Sequence, residues 1–223
     1  MKLAIFDVDG TLVDSRAMIT AAMARAFSEV GIPAPAKDRM LSIVGLSLVD
    51  AMAALRPDLG PESHRQLAEA YKQAFWSLRA AGSIPEALFD GARELLDSLR
   101  SRGVRLGIAT GKSRRGVDHL IAAHGFDGWF ETVQTSDTHP SKPHPSMIET
   151  ALAETSCAPA GAIMIGDTSY DMAMARQAGV GAAGVAWGNH PAAELEAAGA
   201  HRISKSFKEL SADLDAIWEE LHR

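Results

Sequence analysis

From about residue 91 onward, short apolar runs alternate with stretches of helical periodicity, and few folds accommodate that alternation. Residues 91–102 read as a helix that stops at Gly103, and the run 104–110 follows at once as a strand. A helix over 114–124 stops at Gly125, a weaker strand lies near 132–134, and a helix covers 145–154. The run 162–165 leads into Gly166 and Asp167, then a helix over 169–178, a strand over 181–187 and an Ala-rich helix near 192–200. A last helix runs through Phe207, Leu210, Leu214, Ile217, Trp218 and Leu221. Parallel strands joined by helical crossovers are buried on both faces, so they read as continuous apolar runs rather than alternating ones. The N-terminal run Leu3, Ala4, Ile5, Phe6 is one more such strand. The expected core is therefore α/β, a doubly wound, Rossmann-like parallel sheet.

The alternation is interrupted once. Asp14 and Ser15 offer a helix N-cap, and Met18, Ile19, Ala22, Met23, Ala26, Phe27 and Val30 follow at helical spacing until Gly31. A second helical stretch covers about 46–55. A third starts at Pro61, carries Leu67, Tyr71, Ala74, Phe75 and Leu78 on one face, and stops at Gly82. No strand signal falls between them. The chain of 223 residues suits a core of 1–14 and 83–223 carrying an all-helical insert, 15–82.

Composition narrows the function classes. An apolar fraction of 47% against 22% charged residues is that of a chain with a core to bury, not of a disordered one. The net charge of -6 argues against a general nucleic-acid binder, which needs a basic face. Cys157 is the single cysteine, so neither an internal disulfide nor a cysteine-built zinc site is available. No apolar run is long enough for a membrane span, and the N-terminus lacks the layout of a signal peptide. A cytoplasmic location without nucleic-acid or membrane partners is expected.

In open parallel sheets, ligands bind beyond the carboxyl ends of the strands, and four signals fall there in order. The first strand ends in Asp7-Val8-Asp9-Gly10-Thr11, the second in Thr110-Gly111-Lys112. The loop after the third holds Ser141-Lys142-Pro143, and the fourth strand leads into Gly166-Asp167-Thr168-Ser169-Tyr170-Asp171. Singly, each is as readily a turn or a solvated loop; the ordered set is not. Asp7 and Asp167 are hard oxygen ligands suited to Mg²⁺, and a cation relieves the repulsion among converging carboxylates. Thr110 and Lys142 supply a hydroxyl and a point charge for a phosphate. Gly10 and Gly111 let backbone N–H groups approach an anion closely. An aspartate can serve as nucleophile, and a carboxylate two residues on can give and then take a proton.

These residues resemble the motifs of the haloacid dehalogenase (HAD) superfamily of phosphohydrolases. The resemblance runs from Asp7 to Ser15 for the first motif, through Thr110-Gly111 and Lys142-Pro143, to Gly166 through Asp171 for the fourth. The insert resembles the helical cap of the phosphoglycolate phosphatase and β-phosphoglucomutase branch. The resemblance implies that Asp7 is the nucleophile and a Mg²⁺ ligand. It makes Asp9 the general acid/base, with its backbone carbonyl on the metal. Thr110, Gly111 and Lys142 would hold the phosphoryl group, Asp167 would complete the metal site, and Asp171 would orient Lys142 or a metal-bound water. Gly111 stands where phosphoglycolate phosphatases often have Asn, and the tract Lys112-Ser113-Arg114-Arg115 is more basic than that branch leads one to expect. Asp9 separates the chain from true haloacid dehalogenases, which lack this second acid.

The expected activity is a Mg²⁺-dependent phosphatase acting on a small, phosphoglycolate-like phosphomonoester through an aspartyl phosphate, as a monomer or homodimer. A phosphosugar mutase or a pyrophosphatase of the same branch remains open, as does a phospho-accepting signalling receiver domain. Gly45, in the turn 42–46 of the insert, and Lys112 are the candidates for substrate contact. Arg114 and Arg115 read as a solvated basic turn or an anion-steering patch. His139 and His144 read as loop residues rather than a metal pair. Asn189 and His190 follow the fifth strand, with lining of the rim the less favoured reading, Cys157 has no evident catalytic part, and Trp76 and Trp218 read as core.

Overall fold

The computed structural model describes residues 1–82 and 84–222; Ser83, where the expected core segment resumes, and Arg223 lie outside the described residues. The chain opens with β1 (Leu3–Phe6) and β2 (Val13–Asp14). Helices α1 (Arg16–Glu29), α2 (Lys37–Leu41), α3 (Leu48–Leu55) and α4 (Pro61–Ala81) follow. After β3 (Ala87–Leu88) come α5 (Ala92–Ser101), β4 (Arg105–Thr110), α6 (Arg114–His124), β5 (Thr132–Thr135) and α7 (Ser146–Thr155). The remainder is β6 (Ala162–Gly166), α8 (Ser169–Ala178), β7 (Gly181–Val185), α9 (Ala192–Ala197), β8 (Arg202–Ser204) and α10 (Phe207–Leu221).

Six strands form one sheet in the order β5-β4-β1-β6-β7-β8, with every neighbouring pair parallel. The doubly wound α/β expectation is correct. β1 lies at the centre, paired with β4 on one side (Phe6 opposite Ile108) and β6 on the other (Phe6 opposite Ile165). That position explains why its residues are all apolar and fully buried. Successive side chains point to opposite faces of a strand. Accordingly, Phe6 joins Ile108, Leu96, Leu210 and Trp218 in one cluster, while Ile5 joins Met164, Ile148 and Met172 in the other. From β1 the chain builds outward through β4 to β5, then crosses to β6 and builds the other way through β7 to β8, which opens a crevice at the carboxyl ends of β1 and β6, where the order reverses.

Between β2 and β3 the described residues are helical without a strand. The helices carry apolar clusters of their own: Met23, Phe27, Met52 and Leu67 in one, Met18, Ile19, Ala22 and Phe75 in the next. Gly82 ends α4 in the left-handed conformation, at φ +64°, which a side chain resists. Besides α2 and β8, which the sequence reading lacks, two features differ from it. Ser15 occupies the N-cap position of α1, but its hydroxyl makes no capping bond; Asp14 instead receives the Arg16 guanidinium at 2.9 and 2.8 Å. β2 and β3 pair antiparallel, Val13 opposite Leu88 and Asp14 opposite Ala87, and so tie together the two strands of chain that enter and leave the helical unit. No helix among the described residues is long and apolar enough to cross a membrane.

Trp218 closes the face covered by α10. It is 1% exposed, and its indole N–H donates to the Gly161 carbonyl at 2.9 Å. Trp218→Ala is expected to cost about 3–5 kcal/mol, read as a lower denaturant midpoint with an unchanged slope. A loss below about 1 kcal/mol would show that the α10 face does not hold the sheet.

Candidate active site

The site grows from the end of β1. The Asp7 N–H donates to the Ile165 carbonyl at 2.9 Å, so the sheet itself fixes the Asp7 backbone beside the end of β6. Chain reversal follows at Gly10, where φ is +89°. A Cβ at that position would lie 2.3 Å from both Asp167 Oδ2 and Asn189 Nδ2, so only glycine fits. Asp167 accepts from the Thr11 hydroxyl at 2.9 Å and from the Asn189 backbone and side-chain N–H groups, each at 2.8 Å. Asp171 sits in the first turn of α8, where it accepts from the Thr168 N–H and hydroxyl in a capping box. Its other oxygen takes a bond of 2.6 Å from Lys142 Nζ, which also donates to Asp7 at 2.8 Å. Neither the ammonium nor the two carboxylates retain any side-chain exposure.

Asp7, Asp167 and Asp171 each offer an oxygen within 4.8 Å of the others, against one ammonium group. Burial pushes the Asp7 carboxyl up to about 6; Lys142 opposes the shift, while Asp171 and Asp9 add to it. Burial, then the charges of Asp7 and Asp171, push Asp167 up to about 8 against the bonds from Asn189 and Thr11. Burial alone would pull Lys142 down, but Asp171 and Asp7 together hold it above its usual value. Asp7 Oδ2 is buried without any hydrogen-bond partner. An orphaned carboxylate oxygen beside a second, strained carboxylate suits a hard divalent cation, which takes oxygen ligands and supplies the missing positive charge.

Asp7, Asp9, Thr110, Gly111, Lys112 and Gly45 all border one cavity of about 270 Å³ between the sheet edge and the helical unit. Lys142, Asp167 and Asp171 lie beside Asp7 rather than along that cavity. Approach is close here: a Cβ on Gly111 would stand 2.6 Å from the carbonyl oxygens of Gly45 and Leu46. The Thr110 hydroxyl accepts from the Lys112 N–H at 3.2 Å. Lys112 Nζ is 3.0 Å from Asp9 and 3.9 Å from Glu86. Glu86 in turn accepts from Arg79 of α4 at 2.7 Å. A chain of alternating charge thus runs from α4 to Asp9.

Other expectations sort plainly. His139 is held by Ser146 and Gln134, and His144 accepts from the Ser146 N–H, so the two form no metal pair. Asn189 does more than line the rim, since it holds Asp167. His190 accepts from the Ser169 N–H and reaches the Ser42 carbonyl of the helical unit at 3.1 Å. Trp218 is core, as read from the sequence, and Cys157 is buried. Trp76 is not core: it borders the cavity, with the Arg115 guanidinium 3.9 Å from its ring centre. Arg115 therefore packs across to α4, whereas Arg114 pairs with Asp118 at 2.8 Å. Glu86 and the holding bonds of Thr11 and Asn189 carry no periodic or motif signal of their own; only the approach of distant segments reveals them.

The crevice geometry and the ordered acid, hydroxyl and ammonium groups define a phosphate-handling hydrolase, and comparison with known proteins makes the class specific. The chain belongs to the haloacid dehalogenase-like hydrolases, whose family model matches residues 4–185. Within that family it is a phosphatase-type enzyme. It is 34% identical over 218 residues to the probable phosphatase IndB of Dickeya dadantii, covering 96% of this chain and 94% of the relative. The pyrophosphatase PpaX of Bacillus velezensis is 31% identical over 185 residues, 82% of each chain. The crystal structure of a hydrolase from Pseudomonas syringae superposes with a TM-score of 0.86 at 29% identity, over 97% of this chain and 99% of that one.

The raised Asp7 and Asp167 values set a pH test. Unfolded aspartates titrate near about 4, so without metal the folded chain holds more protons than the unfolded one between that pH and about 8. Stability then falls as pH rises through that window. A bound cation offsets the loss, so Mg²⁺ added after chelation is expected to raise Tm more near pH 8 than near about pH 5. Equal shifts at both values would contradict a cation beside Asp7 and Asp167.

Proposed function

We propose that the chain is a Mg²⁺-dependent phosphomonoester hydrolase that acts on a small phosphorylated metabolite through phosphorylated Asp7. One observation carries the reading. Asp7 has one oxygen fixed by Lys142 and the other buried without a partner, at a cavity shared with Asp9 and Thr110. In this reading Asp7, Asp167 and the Asp9 carbonyl hold Mg²⁺, which would supply positive charge to the phosphoryl oxygens. Residues 15–82 form the cap, over a core of 1–14 and 83–223.

One oxygen of the Asp7 carboxylate attacks phosphorus, while the other would stay with the cation. The ester P–O bond breaks, its electron pair leaves with the substrate oxygen, and Asp9 gives that oxygen a proton. Water then attacks the phosphorus of the aspartyl phosphate, and Asp9 takes a proton back. The P–O bond to Asp7 breaks, which restores the carboxylate and frees inorganic phosphate. Lys142 and Thr110 balance and orient the transferring charge, and Asp171 positions Lys142. The helical unit excludes water from the first step. A receiver domain has no need of the helical insert, and its acid pair and phosphorylated Asp normally sit on different strands. A mutase or pyrophosphatase would share these residues, and phosphate release from a monoester separates them from a hydrolase of this kind.

Asp7→Asn is expected to abolish phosphate release from every ester while leaving Tm near the wild-type value. Asp9→Asn keeps the backbone carbonyl and loses the proton carrier. It should lower turnover by about 10²–10⁴-fold for alkyl esters and by less for aryl esters, whose leaving groups need less protonation. An active Asp7→Asn enzyme would sink the covalent route, and equal losses on both ester types would remove Asp9 from the role of acid.

A further inference from the structure

The walls of the cavity divide by chemistry. Asp7, Asp9 and Thr110 form the end that serves the phosphoryl group. The opposite wall, which the leaving group must face, comes from the helical unit and presents Ile19, Met23, Val44, Leu46, Tyr71 and Phe75. Two ammonium groups border the cavity, and each already has a carboxylate. Lys112, with a side chain only 9% exposed, lies 3.0 Å from Asp9 and 3.9 Å from Glu86. Lys72 is solvent-exposed and 3.5 Å from Glu69.

The guanidinium groups nearby are also engaged. Arg79 is bound to Glu86 through Nε and Nη2 and stacked over Phe75, which leaves its Nη1 buried without a partner, and Arg115 lies against Trp76. Three polar side chains along the wall have internal partners as well, whereas the Tyr71 and Ser136 hydroxyls make no hydrogen bond among the described residues. The Ser47 hydroxyl donates to Asp50, the Ser113 hydroxyl accepts from the Gly116 N–H, and Asp137 accepts from the Arg114 N–H. A carboxylate or second phosphate on the leaving group would have to draw Lys112 away from Asp9 and Glu86; Glu86 would keep Arg79, but Asp9 would be left uncompensated at a site where burial already disfavours charge.

From this distribution we infer that the substrate is the monophosphate ester of a small, uncharged, largely apolar alcohol. The inference rests on the phosphoryl-transfer reading above and narrows its substrate class. Discrimination is a difference of affinities. An apolar leaving group gains contact with the aliphatic and aromatic wall, whereas an anionic one loses its hydration and meets lining lysines that each already face a carboxylate. Glycolate, whose carboxylate would face this wall, is therefore the wrong kind of leaving group.

The test measures kcat/KM by phosphate release, in Mg²⁺, for 3-methylbutyl phosphate and for phosphoglycolate. The small generic ester p-nitrophenyl phosphate is the control. The apolar ester is expected to exceed phosphoglycolate by at least about tenfold. Leu46→Lys, which puts a cation on the wall, is expected to narrow or invert that ratio. Phosphoglycolate turned over as well as the apolar ester, or better, overturns the inference and leaves the proposed chemistry standing. A ratio unmoved in folded Leu46→Lys overturns it too, since the wall would not face the leaving group. No phosphate from any of the three esters overturns the chemistry itself, and the inference with it.

Discussion

Lys142 places one ammonium group between the carboxylates of Asp7 and Asp171, at 2.8 and 2.6 Å, with all three side chains sealed from solvent. Taking such charges out of water is costly, and their mutual attraction repays the cost only when the geometry is good and the remaining polar atoms are bonded. Here three separate pieces of backbone provide that geometry: the end of β1, the loop after β5 and the first turn of α8. Asp171 is itself held by the capping box with Thr168. Removing the ammonium would leave three carboxylates facing one another within 4.8 Å. The parallel pairing of β1 with β6 brings the Asp7 and Asp167 ends together, so the sheet and the charge cluster depend on each other.

Much of this was legible in the sequence, for identifiable reasons. Buried parallel strands such as Leu3–Phe6 and Ala162–Gly166 are uniformly apolar, and helices stop at glycines such as Gly82 and Gly125. Acids and hydroxyls that directly follow those strands must appear at the sheet's carboxyl edge, which is why Asp7, Thr110 and Asp167 could be placed together. The two-residue strands β2 and β3 are too short to carry a period, and β8 has three residues. Trp76 has the same helical spacing whether its neighbour is core or cavity, so periodicity cannot distinguish the two. Thr11 and Asn189 converge on Asp167 from positions 156 and 22 residues away, a contact that no local pattern encodes.

The meeting of helical unit and sheet edge is equally specific. Gly45 adopts a φ of +99°, and its carbonyl passes over Gly111 at a distance that excludes even a methyl group. Ser42 receives Tyr170 and His190 from the sheet side, at 3.2 and 3.1 Å. From α4, Arg79, Glu86 and Lys112 carry a line of paired charge to Asp9. The proposed acid is thus held by a lysine whose own surroundings belong to the helical unit and its connecting strand. Position of the helices and readiness of Asp9 are physically linked, and the apolar wall beyond them decides what kind of alcohol can leave.

The central claim is that phosphorus becomes bonded to Asp7. It is tested most directly by trapping that bond. Asp9→Asn enzyme, slowed in the hydrolytic step, would be mixed with p-nitrophenyl phosphate and Mg²⁺, quenched in acid and mapped by peptide mass spectrometry. The account predicts a phosphoryl group on the peptide that contains Asp7, removed by hydroxylamine and absent in Asp7→Asn. Phosphate on another residue, or nitrophenol released with no phosphorylated peptide while the burst amplitude requires one, would contradict it.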